Sequence, residues 1–134
     1  MESLKWQDAF SVNHAQLDEQ HQMIFRLANE LFLSIHDGRP DEMVNQALDS
    51  LAEYTVTHFR DEEMQLERVQ YPQFTAHKVQ HEALLAQLNE LRRRFHSGDR
   101  LITTEMLHFV VNEWLFKHIL SQDSQFAPYM KSSG

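Results

Sequence analysis

The chain has no cysteine, three glycines, three prolines and no apolar run near the roughly 18 residues needed to cross a bilayer. Each scarcity removes a class of explanation. Without cysteine there is no disulfide, no thiol nucleophile, and no thiolate site for zinc or an iron–sulfur cluster. The few turn formers fall as breaks between long segments, at Gly38-Arg39-Pro40, Tyr71-Pro72 and Ser97-Gly98, which favours an all-α chain. Positive charge is also short, with 12 Lys and Arg against 20 Asp and Glu and a formal net charge of −8. A nucleic acid or an anionic membrane surface needs a basic face, so neither is an expected partner. The opening Met1-Glu2-Ser3-Leu4-Lys5-Trp6 lacks the apolar core of a secretory leader. The expected setting is therefore cytoplasmic, with no membrane insertion.

What remains is a 134-residue chain, 42% apolar, read as one domain over 1–134. An arm over 1–17 carries the packing anchors Trp6, Phe10, Val12 and Leu17 without a sustained period. Four segments then repeat apolar residues at helical spacing, over about 18–37, 41–66, 73–96 and 104–121, followed by a short irregular tail. Asp18 suits the first helix cap, and Pro40 or Asp41 opens the second. Four amphipathic helices with short connections bury best as an up-down-up-down antiparallel four-helix bundle.

Histidines and carboxylates interrupt these apolar stripes. His58 and Glu62 stand four residues apart on the second segment, as do His77 and His81 on the third, so each pair shares a helix face. His21 lies early in the first segment and His118 late in the fourth, with Asp123 five residues on. In an antiparallel bundle these places converge on one layer at one end. A single such histidine reads as a core-edge imidazole bonded to a carbonyl. Five imidazoles and two carboxylates buried together without metal would leave many polar groups unmet, each costing about 1–3 kcal/mol. Seven donors exceed one four-coordinate zinc, so two metals sharing carboxylates are expected. Imidazole mixed with carboxylate suits iron or manganese better than calcium or magnesium.

From Trp6 to about Tyr129 the chain resembles a bacterial hemerythrin. The resemblance is carried by Trp6, Ser11-Val12, Leu17-Asp18-Glu19-Gln20-His21, His58-Phe59-Arg60-Asp61-Glu62-Glu63, His77-Lys78-Val79-Gln80-His81 and Trp114-Leu115-Phe116-Lys117-His118, with Asp123 beyond. It implies two non-haem irons, one on His77, His81 and His118 and the other on His21 and His58. Glu62 and Asp123 would bridge them beside an oxo or hydroxo group, and dioxygen would bind at an open position on the second iron. Glu62 rather than Glu63 is the bridge because it alone is four residues from His58; Asp61 and Glu63 are expected to face out. By helical register, Phe25, Phe59, Trp114 and Leu115 would line the oxygen pocket. They include no spare acid or base, so no enzyme is expected. The implied role is oxygen storage, transport or delivery, with an oxygen-consuming protein as partner. The alternative is an oxygen or redox sensor domain attached to a signalling domain. Asn13-His14 departs from the family's usual Gly-plus-apolar pair in the arm. His14, His36, His96 and His108 are read as surface or flanking residues.

Overall fold

The structure, a computed structural model, describes Trp6 and residues 10–131, apart from the side chains of Arg100, Leu115, Phe116, Leu120, Ser121 and Lys131. Three long helices come first: α1 (Ala15–His36), α2 (Asp41–Arg68) and α3 (Phe74–His96). A 3₁₀ turn leads into the short α4 (Thr103–His108), which runs on as a π-helix over Phe109–Gln122. After a second 3₁₀ turn, α5 (Ala127–Lys131) lies where an irregular tail was expected. Neighbouring pairs are α1 with α2, α2 with α3, α3 with the π-helix, and the π-helix with α1, which closes an all-α bundle. None of the described helices is long and apolar enough to cross a membrane.

Local chemistry places the breaks. Gly38 and Gly98 both take positive φ, 63° and 103°, just past helix ends. There Arg39 N–H reaches back to the Ser34 carbonyl and Asp99 N–H to that of Arg94, satisfying carbonyls the helix leaves open. The start of α1 differs from expectation. His14 is the cap, its Nδ1 accepting from Leu17 N–H, while Asp18 reaches back to the Ser11 hydroxyl and to Val12 N–H at 2.8 Å. Asn13 between them has φ 62°, a conformation glycine takes freely and asparagine tolerates better than most. The arm therefore keeps the tight turn without a glycine.

Two apolar clusters fill the interior. The larger runs along all four bundle helices and includes Ile24, Leu48, Leu51, Leu88, Phe95, Phe109 and Trp114. The smaller joins Val12 and Leu17 to Leu66, Tyr71, Phe126 and Met130. The histidine layer lies between them: along α2, Phe59 belongs to the first cluster, Glu62 to the layer and Leu66 to the second. The last turns of the chain thus act as a plug over the layer, since Phe126 and Met130 are fully buried and the Phe126 ring stands 5.6 Å from that of His77.

Candidate metal centre

The structure brings together all seven candidate residues, and none is more than 3% exposed. They form two groups whose donor atoms lie within 4.8 Å of one another: His77, His81, His118, Glu62 and Asp123, and His21, His58, Glu62 and Asp123. The two carboxylates belong to both, and each divides its oxygens between them. Glu62 Oε1 is 2.7 Å from His77 Nε2 and 2.9 Å from His81 Nε2, while its Oε2 is 2.9 Å from His58 Nε2 and 3.3 Å from His21 Nε2. Asp123 Oδ1 lies 2.9 Å from His77 and 3.2 Å from His118, with Oδ2 3.1 Å from His21.

The π-helix explains one member of this set. Its hydrogen bonds span five residues, the last running from Asp123 N–H to the His118 carbonyl. Residues five apart therefore stack on one side, whereas an α-helix would turn them about 140° apart. His118 and Asp123 point the same way because of this register. It also shifts the buried face, so that Met106 and Phe109 are fully buried while Leu107, which three regular α-helical turns would place on the face of His118, is half-buried.

Asp61 and Glu63 do not face out, contrary to expectation. Glu63 Oε2 sits 2.8 Å from His81 Nδ1, and Asp61 accepts from Gln20 Nε2 at 2.8 Å. Gln20 in turn places its Oε1 2.7 Å from His58 Nδ1. A carboxylate can only accept, so His81 carries its proton on Nδ1. Asp61 likewise orients the Gln20 amide, whose oxygen then requires Nδ1–H on His58. Both rings must therefore aim Nε2 lone pairs at the layer's centre, where each meets a Glu62 oxygen and that of His81 also meets another imidazole. His81 Nε2 stands 3.0 Å from His118 Nε2. Lone pairs crowded in this way repel unless a cation lies among them. Two ligands at right angles on bonds of about 2.1 Å are roughly 3 Å apart, so the spacing fits a metal. Among the described residues, His58 Nε2, His21 Nδ1 and both Asp123 oxygens are buried with close neighbours at most and no well-aligned hydrogen bond, which is further reason for an ion.

Charge in the layer follows from these neighbours. Burial pushes His21 down, but Asp123 and Glu62 outweigh it and raise its pKa to about 9. His77, opposed by burial and favoured by the same carboxylates, rises to about 10. Burial dominates elsewhere, lowering His58 despite Glu62 and taking His118 to about 4. Burial opposes ionisation of Glu62, but His58, His21 and His77 bring its pKa well below the usual carboxylate range. Asp123 is lowered too: burial and Glu62 oppose ionisation, and His118, His21 and His77 prevail. With no ion bound, His21 and His77 thus hold protons near neutral pH, and a metal must displace them. Ferrous iron added anaerobically to metal-stripped protein at pH 8 is expected to release about two protons per chain, because both pKa values lie above that pH. Calorimetry in buffers of different ionisation enthalpy measures this, and release of none would show that the two imidazoles are neutral before loading.

The aromatic residues divide by side. Phe59 lies flat on His81, ring centres 3.7 Å apart and planes 3° from parallel. Trp114 stands against Phe59, His58 and His118, its indole N–H donated to Thr55 Oγ1. Phe25 packs instead with Trp6 and Phe10 on the arm side, and the Leu115 side chain lies outside the described residues. Gln20, Tyr71, Phe126 and Met130 were not among the sequence candidates. Gln20 had a signal available, since it directly precedes His21, but its partners are distant in sequence. Of the other histidines, His36 and His108 are exposed, and exposed His96 reaches Asp49 Oδ1 at 3.4 Å.

Residues 12–130 match the family model described as the hemerythrin HHE cation binding domain. The bacteriohemerythrin of Methylococcus capsulatus is 32% identical over 98% of this chain and 100% of its own length. That of Stenotrophomonas maltophilia is 31% identical over 98% of this chain and 84% of its own. A crystal structure of wild-type hemerythrin superposes with a TM-score of 0.87 at 30% identity, covering 97% of this chain and 99% of that one.

Proposed function

Since the chain belongs to the hemerythrin family of di-iron, oxygen-binding proteins, which are not enzymes, we propose that it binds dioxygen reversibly for storage, transport or delivery. His77, His81 and His118 would hold one iron and His21 and His58 the other, with Glu62 and Asp123 shared between them. One observation carries this reading: both carboxylates present one oxygen to each histidine group, an arrangement suited to a pair of ions. When bound, the irons supply the two electrons on which dioxygen binding draws. The His21/His58 side offers one protein donor fewer, which leaves room for the gas there.

The chain's own part is to hold the donors and keep the layer dry. Phe59 and Trp114 cover the imidazole faces from the main core, while Tyr71, Phe126 and Met130 seal the opposite side. This apolar enclosure would keep solvent and its protons out of the layer. Phe59, Trp114 and Phe25 are the proposed lining of the oxygen pocket. The carrier role is supported by the Methylococcus relative, whose whole length lies within the match, so that there the domain stands alone.

The test is iron content together with cycling. Purified protein is expected to hold about two irons per chain, the number two histidine groups sharing two carboxylates imply. Anaerobically reduced protein should gain a near-ultraviolet band on exposure to oxygen and lose it on purging, over repeated cycles. One tightly bound zinc, or a band that never reverses, would sink the reading.

A further inference from the structure

Asp61, Glu62 and Glu63 are consecutive, yet they serve different parts of the layer. Glu62 points in. Glu63 accepts from Nδ1 of His81, in the three-histidine group, at 2.8 Å. Asp61 reaches the two-histidine group only through an amide, since Gln20 stands between it and His58. The other ring of that group, His21, has a buried Nδ1 that finds no hydrogen-bond partner among the described residues. The full negative charge of a carboxylate therefore backs one group, and a neutral amide oxygen backs the other.

We propose that Glu63 is a positioning residue that makes the three-histidine iron the more electron-rich of the two. An imidazole hydrogen-bonded to a carboxylate is a stronger donor than one bonded to an amide. Removing one electron from an iron adds one positive charge to the layer, and a nearby carboxylate stabilises that charge. Glu63 is partly buried, at 22% side-chain exposure, so water screens it only in part. The three-histidine iron should accordingly be oxidised first and at lower potential. The two-histidine iron, where gas would bind, is correspondingly held in its ferrous form. Gln20 is the counterpart: it fixes the His58 tautomer without adding charge. This inference rests on the di-iron reading and assigns a regulator of the pair's redox balance within it.

Glu63→Gln separates charge from geometry, because glutamine keeps the length and an acceptor oxygen. Iron content and stepwise anaerobic titration with ferricyanide, one electron per iron, are compared in parent, E63Q, D61N and E67Q. Glu67 is exposed and one helical turn beyond Glu63, so it serves as the control. E63Q is expected to keep two irons while the first oxidation becomes about tenfold less favourable, equivalent to about 59 mV for one electron. D61N should shift the second oxidation by less, since an amide stands between, and E67Q should shift neither. Parent protein without two irons would defeat the di-iron reading itself. Two irons in parent and E63Q with equal first potentials would overturn only the role of Glu63. So would loss of iron from E63Q, which would make the acceptor a structural clasp, or a shift in D61N as large as that in E63Q.

Discussion

Glu62→Ala is expected to abolish iron binding at both positions rather than at one. Glu62 is common to both histidine groups, and its two oxygens lie within 3.3 Å of four different imidazoles. Removing a group that only orients a ligand typically lowers metal affinity 10–100-fold, so deleting a shared ligand should exceed that range. Stability should fall as well. His21 and His77 are held protonated largely by Glu62 and Asp123, and stripping one partner from a buried pair costs about 3–5 kcal/mol. Glu62→Gln keeps the shape and loses the charge; it should also lose iron but unfold at a higher temperature than Glu62→Ala. Elemental analysis and thermal denaturation on the two variants beside Glu67→Ala decide the matter. Two irons retained by Glu62→Ala would remove Glu62 from the centre.

The parts of this molecule that could be read from sequence are those where one period governs one segment. His58 with Glu62 and His77 with His81 lie on ordinary α-helices, where four-residue spacing dictates a shared face. Reading failed where the backbone left that period or where partners came from different helices. The π register over Phe109–Gln122 has no residue signature that helical angles reveal, and it moved the buried face onto Met106 and Phe109. Glu63 was assigned outward because it is off the His58 face of α2. That angle instead directs it at α3, where His81 needs an acceptor. Asp18 was a sound cap by type, but His14 caps α1 and frees Asp18 to tie down the arm. The tail looked irregular because it is short and holds Pro128. Phe126 and Met130 nevertheless pack with Val12, Leu17, Leu66 and Tyr71 beyond the metal layer.

Stripping the iron is expected to destabilise the protein by several kcal/mol, and by more at alkaline pH. Binding to the folded chain alone stabilises it by mass action, about 4 kcal/mol when ligand is a thousandfold above its dissociation constant. Removal also returns buried donors to an environment they cannot satisfy, including His58 Nε2, His21 Nδ1 and both Asp123 oxygens. Protons on His21 and His77 offset part of this. Their folded pKa values, about 9 and about 10, are raised above the ordinary 6.5, so their contribution is complete below pH 6.5. It is lost as pH climbs through 9 and 10. Lowered pKa values act with the opposite sign. Glu62 and Asp123 lose their contribution only when pH falls below the carboxylate range, and His118, at about 4, begins to oppose folding as pH drops below 6.5. Stripped protein should thus be most stable near pH 6 to 7 and weaken on both sides. For a chain of this length 1 kcal/mol moves the melting temperature by about 4 °C, so loaded and stripped protein should melt at least about 10 °C apart at pH 7. The gap should widen at pH 10, where the stand-in protons are gone and the metal no longer competes with them. Paired melts of chelator-treated and reloaded protein at pH 7 and pH 10 provide the measurement. Equal melting temperatures at pH 7 would show that the layer satisfies itself without metal, and a gap that narrows at pH 10 would show that protons on His21 and His77 do not stand in for it.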